Sequence, residues 1–295
     1  MAWLHDRLKV NDGTFRLTLI CGDPRLAQAA HRAGVDRILV DLERLGKAER
    51  QAGRPLFISD YDWDDAAAVR AVLPVGSFFL RLDPWHEGSA QQIEQALALG
   101  ADGLMLPYFH DADAPLQFAQ YVRGRAIVVP LVETVGAVRD LPGLLASDLI
   151  GEFHVGLNDL ALDSGYASLH SLWGHELLDT VAHAARAAGK PFGVGGVADP
   201  RLTGLAVDPA YVIAEHPRLG STGALLGASF RALHEQSADC AAISATVTAI
   251  RRAFAAASLR FQAQAVGSRK DFLETGAGDG IRTHDIQLGK LTLYP

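Results

Sequence analysis

The sequence predicts an α/β fold, a closed (β/α)8 TIM barrel with an additional C-terminal helix. Short β-rich runs alternate with helical patterns at a regular spacing, and eight such βα units can be counted. The central run Ile127 to Val132 is apolar throughout, as a strand buried on both faces of a parallel sheet would be. No dinucleotide-binding fingerprint opens the chain, which favours closure over an open doubly wound sheet. With 295 residues and 49% hydrophobic composition the chain can bury a large core, and barrels of about 250 residues commonly form one domain. The barrel is expected over residues 1–262.

Phe15 to Ile20 reads as the first strand. Asp23-Pro24 then supplies an N-cap and a proline at the first helical position, and Gly34 stops that helix. Arg37 to Val40 is the second strand, leading into Asp41-Leu42-Glu43-Arg44 at its rim. Asp62 to Leu73 carries Ala66, Val69, Val72 and Leu73 at helical spacing, and Phe78 to Leu82 follows as a strand with Arg81 near its exit. A helix from Ser89 to Leu99, a strand from Gly103 to Tyr108, the Ile127 to Val132 strand and a helix from Val135 to Ala146 continue the alternation. Phe153 to Gly156 is a short strand. A long helix is expected from Leu169 to Ala188, a strand from Pro191 to Val197, a helix from Pro209 to Leu219 and a strand from Ala224 to Phe230. The last helix, Ile243 to Leu259, sets Val247, Ile250, Phe254 and Leu259 along one stripe.

The segment 263–295 has no place in a completed barrel and is expected to be a disordered tail. Its run Gly280-Ile281-Arg282-Thr283 can be encoded by the complement of a transfer-RNA T-loop consensus, and Gln287 to Leu291 by an anticodon arm. A reading frame running antisense through a transfer-RNA gene would produce such a tail.

The formal charge is −7, with basic residues scattered, which argues against binding a nucleic-acid backbone. Cys21 and Cys240 are too few for a disulfide framework and lack metal-binding spacing, and Cys21 is expected to be a buried thiol. The N-terminus lacks a signal-like apolar core, and no run reaches the roughly 18 apolar residues of a membrane span, so a cytoplasmic protein without membrane or nucleic-acid partners is expected.

Two isolated carboxylates, Glu133 and Asp159, stand at the ends of apolar strands. They lie 26 residues apart, about one βα unit, so both should reach the same rim. Two acids on one rim can share Mg²⁺ or Mn²⁺, which completes its shell with water and substrate oxygens. Asp41 and Arg81 fall at the same end, where barrel active sites lie. The loop after the second strand adds Arg44, Lys47, Arg50 and Arg54, positive charge suited to an anionic substrate. Glu215 and His216 precede the eighth strand and belong to the opposite, structural face, and the glycines at 193, 195 and 196 read as close packing. His175-Glu176 lacks the second His of a zinc helix and reads as helix surface.

These rim residues, Asp41-Leu42-Glu43, Arg81, Val132-Glu133-Thr134 and Gly156-Leu157-Asn158-Asp159-Leu160, resemble those of the metal-dependent HpcH/HpaI aldolase and citrate lyase β-subunit family, over about Phe15 to Phe230. The run Glu215 to Phe230 is similar to a branch associated with capsule and surface-polysaccharide gene clusters. The resemblance implies a homo-oligomeric carbon–carbon lyase that acts through the enolate of a 2-oxo acid such as pyruvate. Glu133 and Asp159 would bind Mg²⁺ or Mn²⁺, Arg81 would face the enolate oxygen, and Arg81, Arg44, Lys47 and Asn158 would bind substrate. The chain departs from the family pattern at three positions. Arg44 stands where pyruvate aldolases carry the general-base His, Ala98 where its Asp partner would be, and Leu131 where a Gln precedes the metal Glu. Arginine stays protonated, which leaves Asp41 and Glu43 as the nearest candidates for the base. A non-catalytic metabolite-binding barrel, or a metal-assisted isomerase or phosphoenolpyruvate-using enzyme, is the alternative on this scaffold.

Overall fold

The computed structural model describes residues 14–50 and 59–274. Eight strands pair in parallel, each with the next in sequence, and the last closes on the first: β1 (Arg16–Ile20), β2 (Arg37–Asp41), β3 (Phe78–Arg81), β4 (Gly103–Leu106), β5 (Ile127–Val132), β6 (Phe153–Val155), β7 (Phe192–Val197) and β8 (Gly223–Leu226). This is the (β/α)8 barrel that the alternating pattern predicts.

Strand periodicity divides the core into two shells. Ile38, Val40, Phe78, Leu80, Val128 and Val132 point outward into the large cluster shared with the helices. Leu39, Phe79, Met105, Ile127, Val129 and Leu131 point inward and form a separate plug that fills the barrel. One more step of two residues from Leu39, Phe79 and Leu131 reaches Asp41, Arg81 and Glu133. The alternation that packs the interior therefore also aims these three side chains into the barrel mouth, with Asp41 directly opposite Arg81 in register. At the other end, Arg37 makes a two-pronged ion pair to Glu152, at 2.5 and 3.1 Å, and stacks over the Phe79 ring.

The outer helices are α1 (Pro24–Arg32), α2 (Lys47–Arg50), α3 (Trp63–Val72), α4 (Ser89–Ala98), α5 (Asp113–Val122), α6 (Val135–Leu145), α7 (Leu157–Asp163), α8 (Glu176–Ala188), α9 (Pro209–Leu219), α10 (Ala228–His234) and α11 (Cys240–Glu274). Two differ from the sequence expectation in ways that matter for function. The helix expected from Leu169 is broken: Leu169–Leu172 is a single 3₁₀ turn, Gly174 adopts a left-handed φ of 78°, and α8 begins only at Glu176, capped by His175. The strand expected to run to Phe230 stops at Leu226, and Gly227 turns the chain into α10.

The last helix is longer than expected, because no proline interrupts its alanine-rich sequence, and it continues to Glu274, into the segment anticipated as a tail. Residues 275–295 lie outside the described residues. The chain divides into two units after Ser258. Within the first, Ile243, Val247 and Ile250 are buried, Thr246 bonds Asp199 above β7, and Phe254 stacks on Phe15 below β1 at 4.1 Å. Cys240–Gln264 is, by length and composition alone, apolar enough to cross a membrane, with a mean hydropathy of 1.2, an exception to the sequence expectation. Alanines at its exposed positions carry much of that value, while its larger apolar residues before Ser258 pack on the barrel.

Candidate active site

The barrel mouth opens into a cavity of about 530 Å³. Its polar lining comprises Asp41, Lys47, Arg81, Glu133, Asn158, Asp159, His170 and Arg231, and its apolar lining includes Val197, Leu205, Val207, Val212 and Leu226.

Arg81 grips Asp41 as a fork, Nε to one oxygen at 2.7 Å and a terminal nitrogen to the other at 2.5 Å. Lys47, brought in by α2, and the Ser59 hydroxyl also donate to Asp41. Burial alone would raise the Asp41 pKa, but Arg81 and Lys47 more than offset it and hold the carboxyl far below its ordinary range. Asp41 is thus saturated with donors and is a poor base; it orients Arg81. Glu43 pairs with Arg50 and lies 3.5 Å from Lys47 and 3.4 Å from Arg81.

Glu133 is held from both sides. Tyr108, in a left-handed backbone conformation with φ 46°, donates its N–H to the Glu133 carboxylate at 2.9 Å. The next residue, Thr134, caps α6 through Ala137 and donates to the Phe109 carbonyl at 2.7 Å. Gly156 leaves the space Glu133 needs, since a Cβ there would stand 2.5 Å from a carboxylate oxygen. Asp159, buried in the first turn of α7, faces the same space. Desolvation, then Glu43 and Asp159, push the Glu133 pKa well up.

This geometry fits a hard divalent cation. Asp41, Glu43, Glu133 and Asp159 are all nearly fully buried, and the basic side chains among them are Lys47, Arg50 and Arg81. Burial, together with the neighbouring Glu43 and Asp159, disfavours the ionised form of Glu133, a cost that a bound cation would offset. No group of three or more His, Cys, Asp or Glu among the described residues is arranged to hold a metal by itself. A pair of carboxylates that leaves positions for water and substrate is what Mg²⁺ accepts.

Of the residues anticipated from sequence, the structure brings Asp41, Lys47, Arg81, Glu133, Asn158 and Asp159 to one cavity, with Glu43 just behind it. Arg44 does not join them. Its guanidinium donates to the Asp60 and Tyr61 carbonyls, both at 2.6 Å, and it is exposed. Arg50, anticipated only as positive charge near the rim, reaches the carboxylates, and His170 emerges with no place in the sequence reading of the site. Arg50 stacks 3.8 Å over the Tyr108 ring and reaches within 3.7 Å of Asp159. His170 lines the cavity from the 3₁₀ turn. The basic loop was the available signal for Arg50; none marked His170.

Residues 19–199 match the family model for HpcH/HpaI aldolase/citrate lyase. The chain belongs to that family. No curated protein sequence matches it. Among solved structures, an HpcH/HpaI aldolase from Desulfitobacterium hafniense aligns with a TM-score of 0.57 at 18% identity, covering 80% of this chain and 95% of that one. A family protein from Burkholderia cenocepacia aligns at 0.60 and 16%, covering 80% and 96%. A citrate lyase beta subunit from Mycobacterium tuberculosis, complexed with oxaloacetate and magnesium, aligns at 0.54 and 18%, covering 82% and 97%. At these identities the likeness is one of fold. Within this HpcH/HpaI family barrel, the three departures from the pyruvate-aldolase pattern acquire positions: Arg44 turns outward, Ala98 ends α4, and Leu131 belongs to the interior plug.

Proposed function

We propose that the protein is a Mg²⁺- or Mn²⁺-dependent carbon–carbon lyase that cleaves or forms a bond next to a 2-oxo acid. The observation that carries this reading is the meeting of two buried carboxyl groups, Glu133 and Asp159, with the Arg81 guanidinium in one cavity at the barrel mouth. Glu133 and Asp159 would hold the ion. When bound, it supplies positive charge beside the carboxylate and keto oxygens of the acid. Arg81, fixed by Asp41, faces the oxygen on which charge develops as the bond breaks, and its fixed dipoles need no reorganisation. Lys47 and Asn158 complete the polar lining around the acid. The apolar side chains that line the rest of the cavity accommodate an uncharged aldehyde or ketone as the second fragment.

Calorimetric titration of Mn²⁺ and Mg²⁺ into metal-stripped protein tests the reading, with and without oxalate, a mimic of the pyruvate enolate. Binding strengthened by oxalate and lost in Glu133→Ala and Asp159→Ala is expected. Absence of binding to folded wild-type protein would replace the lyase with a metabolite-binding barrel.

A further inference from the structure

Cleavage of a 4-hydroxy-2-oxo acid, the adduct of a 2-oxo acid enolate and an aldehyde, needs a group that removes the hydroxyl proton. The position where pyruvate aldolases of the family carry that base is Arg44 here, and it faces away from the cavity. Among the described residues, the remaining titratable groups of the cavity wall are otherwise engaged. Asp41 accepts from Arg81, Lys47 and Ser59; Lys47 lies between Asp41 and Glu43; Glu133 and Asp159 are the proposed metal ligands; Arg81 and Arg231 are guanidinium groups. His170 is left.

The hydrogen bonding of the histidines sets it apart. His31 bonds the Val35 carbonyl, His86 the Pro84 carbonyl, His154 the Gly195 carbonyl, His175 the Tyr166 hydroxyl, His216 the Ser221 hydroxyl and His234 the Thr246 hydroxyl. His170 is the half-buried histidine whose ring makes no hydrogen bond or ion pair among the described residues, and its Nδ1 is shielded from solvent with no partner. Its backbone, by contrast, is fixed: its N–H donates to the Ser168 hydroxyl at 3.2 Å, its carbonyl accepts from Trp173, and fully buried Leu172 anchors the turn. The ring is held on the cavity wall by its main chain, and Nε2, unlike the shielded Nδ1, is open and has no protein partner among the described residues. It is well explained as a group that meets its partner in the substrate.

We propose that His170 is the general base of this barrel, acting on the hydroxyl of a 4-hydroxy-2-oxo acid. The inference rests on the lyase reading above. In cleavage the imidazole takes the hydroxyl proton, the oxygen's electron pair forms the aldehyde C=O, and the C3–C4 bond breaks. The electrons of that bond become the enolate beside Arg81. The enolate carbon takes a proton from water and the imidazolium gives its proton to water, leaving the 2-oxo acid and the aldehyde. Condensation is the reverse.

Decarboxylation of oxaloacetate separates the two ideas, because loss of CO₂ generates the same enolate without a hydroxyl to deprotonate. Wild type, His170→Ala and His170→Asn are compared, Mg²⁺-loaded, on oxaloacetate and on the 4-hydroxy-2-oxo acids derived from pyruvate with acetaldehyde or hexanal. Both variants are expected to decarboxylate oxaloacetate within about twofold of wild type, which also reports a folded, metal-competent site. Their cleavage of the hydroxy acids is expected to fall at least about 100-fold. Added imidazole should restore part of that loss in His170→Ala, which a merely structural role would not allow. Variants that cleave at the wild-type rate, or a wild type that decarboxylates but cleaves neither hydroxy acid, would overturn the assignment of His170 alone. A wild type without metal-dependent decarboxylation would overturn the lyase reading itself.

Discussion

Arg81 and Asp41 meet as a two-pronged pair across adjacent strands, with both hydrogen bonds between 2.5 and 2.7 Å and both residues in exact register. The pair converts a flexible side chain into a fixed electrostatic element at the barrel mouth. Asp41→Asn removes the charge that fixes it. Turnover of oxaloacetate should fall on the order of 100-fold, and Mg²⁺ affinity by calorimetry should change less than about threefold. Breaking a buried pair also costs roughly 3–5 kcal/mol, visible as a lower urea midpoint.

Glu133→Gln should separate stability from metal binding. In the metal-free protein the raised pKa means that the folded state holds the Glu133 proton more tightly than the unfolded chain does. Stability from this group is therefore full at low pH and is lost as pH climbs from the ordinary glutamate range through the raised value. Gln cannot ionise, so the metal-free variant should be more stable than wild type at neutral pH, by on the order of 1 kcal/mol. Calorimetry on the same variant should show no Mg²⁺ binding.

Arg50 lies 3.7 Å from Asp159 and pairs with Glu43, so it supplies positive charge where the ion is proposed to sit. Arg50→Gln should tighten Mg²⁺ binding, by roughly three- to tenfold at low salt, as Coulomb interactions of partly buried charges imply. Looser binding in this variant would show that Arg50 organises the carboxylates instead of competing at them.

Gly156→Ala tests the fit around Glu133. The backbone there, with φ −89°, tolerates a side chain, whereas the methyl group would meet the carboxylate. Mg²⁺ affinity is expected to drop at least about tenfold, since ligands must stay close to their productive geometry. The circular-dichroism spectrum should be unchanged.

Two buried histidines set the acid limit. Desolvation lowers His154 to about 4, against the Gly195 carbonyl, and His216 to about 3, between Phe15 and Trp173. The unfolded chain takes up these protons near pH 6.5 and the folded one does not. Their contribution is complete above about pH 6.5 and is lost as pH falls toward 4 and 3, by up to about 1.4 kcal/mol per pH unit for each. Urea midpoints between pH 7 and 5 should therefore fall steeply, and His154→Gln should flatten the slope.

The barrel and its carboxylates were legible because one regularity encodes both. A parallel strand buried on two faces reads as an apolar run, and an acid that interrupts the end of such a run is conspicuous, as Glu133 and Asp159 are. The site's other half depends on which way side chains turn from irregular backbone. Arg44, Lys47 and Arg50 stand in one short stretch with similar chemistry, yet Lys47 and Arg50 turn to the carboxylates and Arg44 to two carbonyls. No periodicity separates them. His170 was hidden by a different cause: helical spacing runs through Leu169 to Ala188, and a left-handed Gly174 cuts off the turn that presents the ring to the cavity.

The raised pKa of Glu133 also bears on the sequence of events at the rim. Without the ion Glu133 favours its protonated form; a divalent ion displaces that proton and adds positive charge beside Arg81, which attracts the acid. Loading is thereby ordered, ion first and acid second, and the acid's departure does not require the ion to leave. Initial-rate kinetics should accordingly show the ion as an essential activator that precedes the substrate, with free acid unable to trap the metal-free protein.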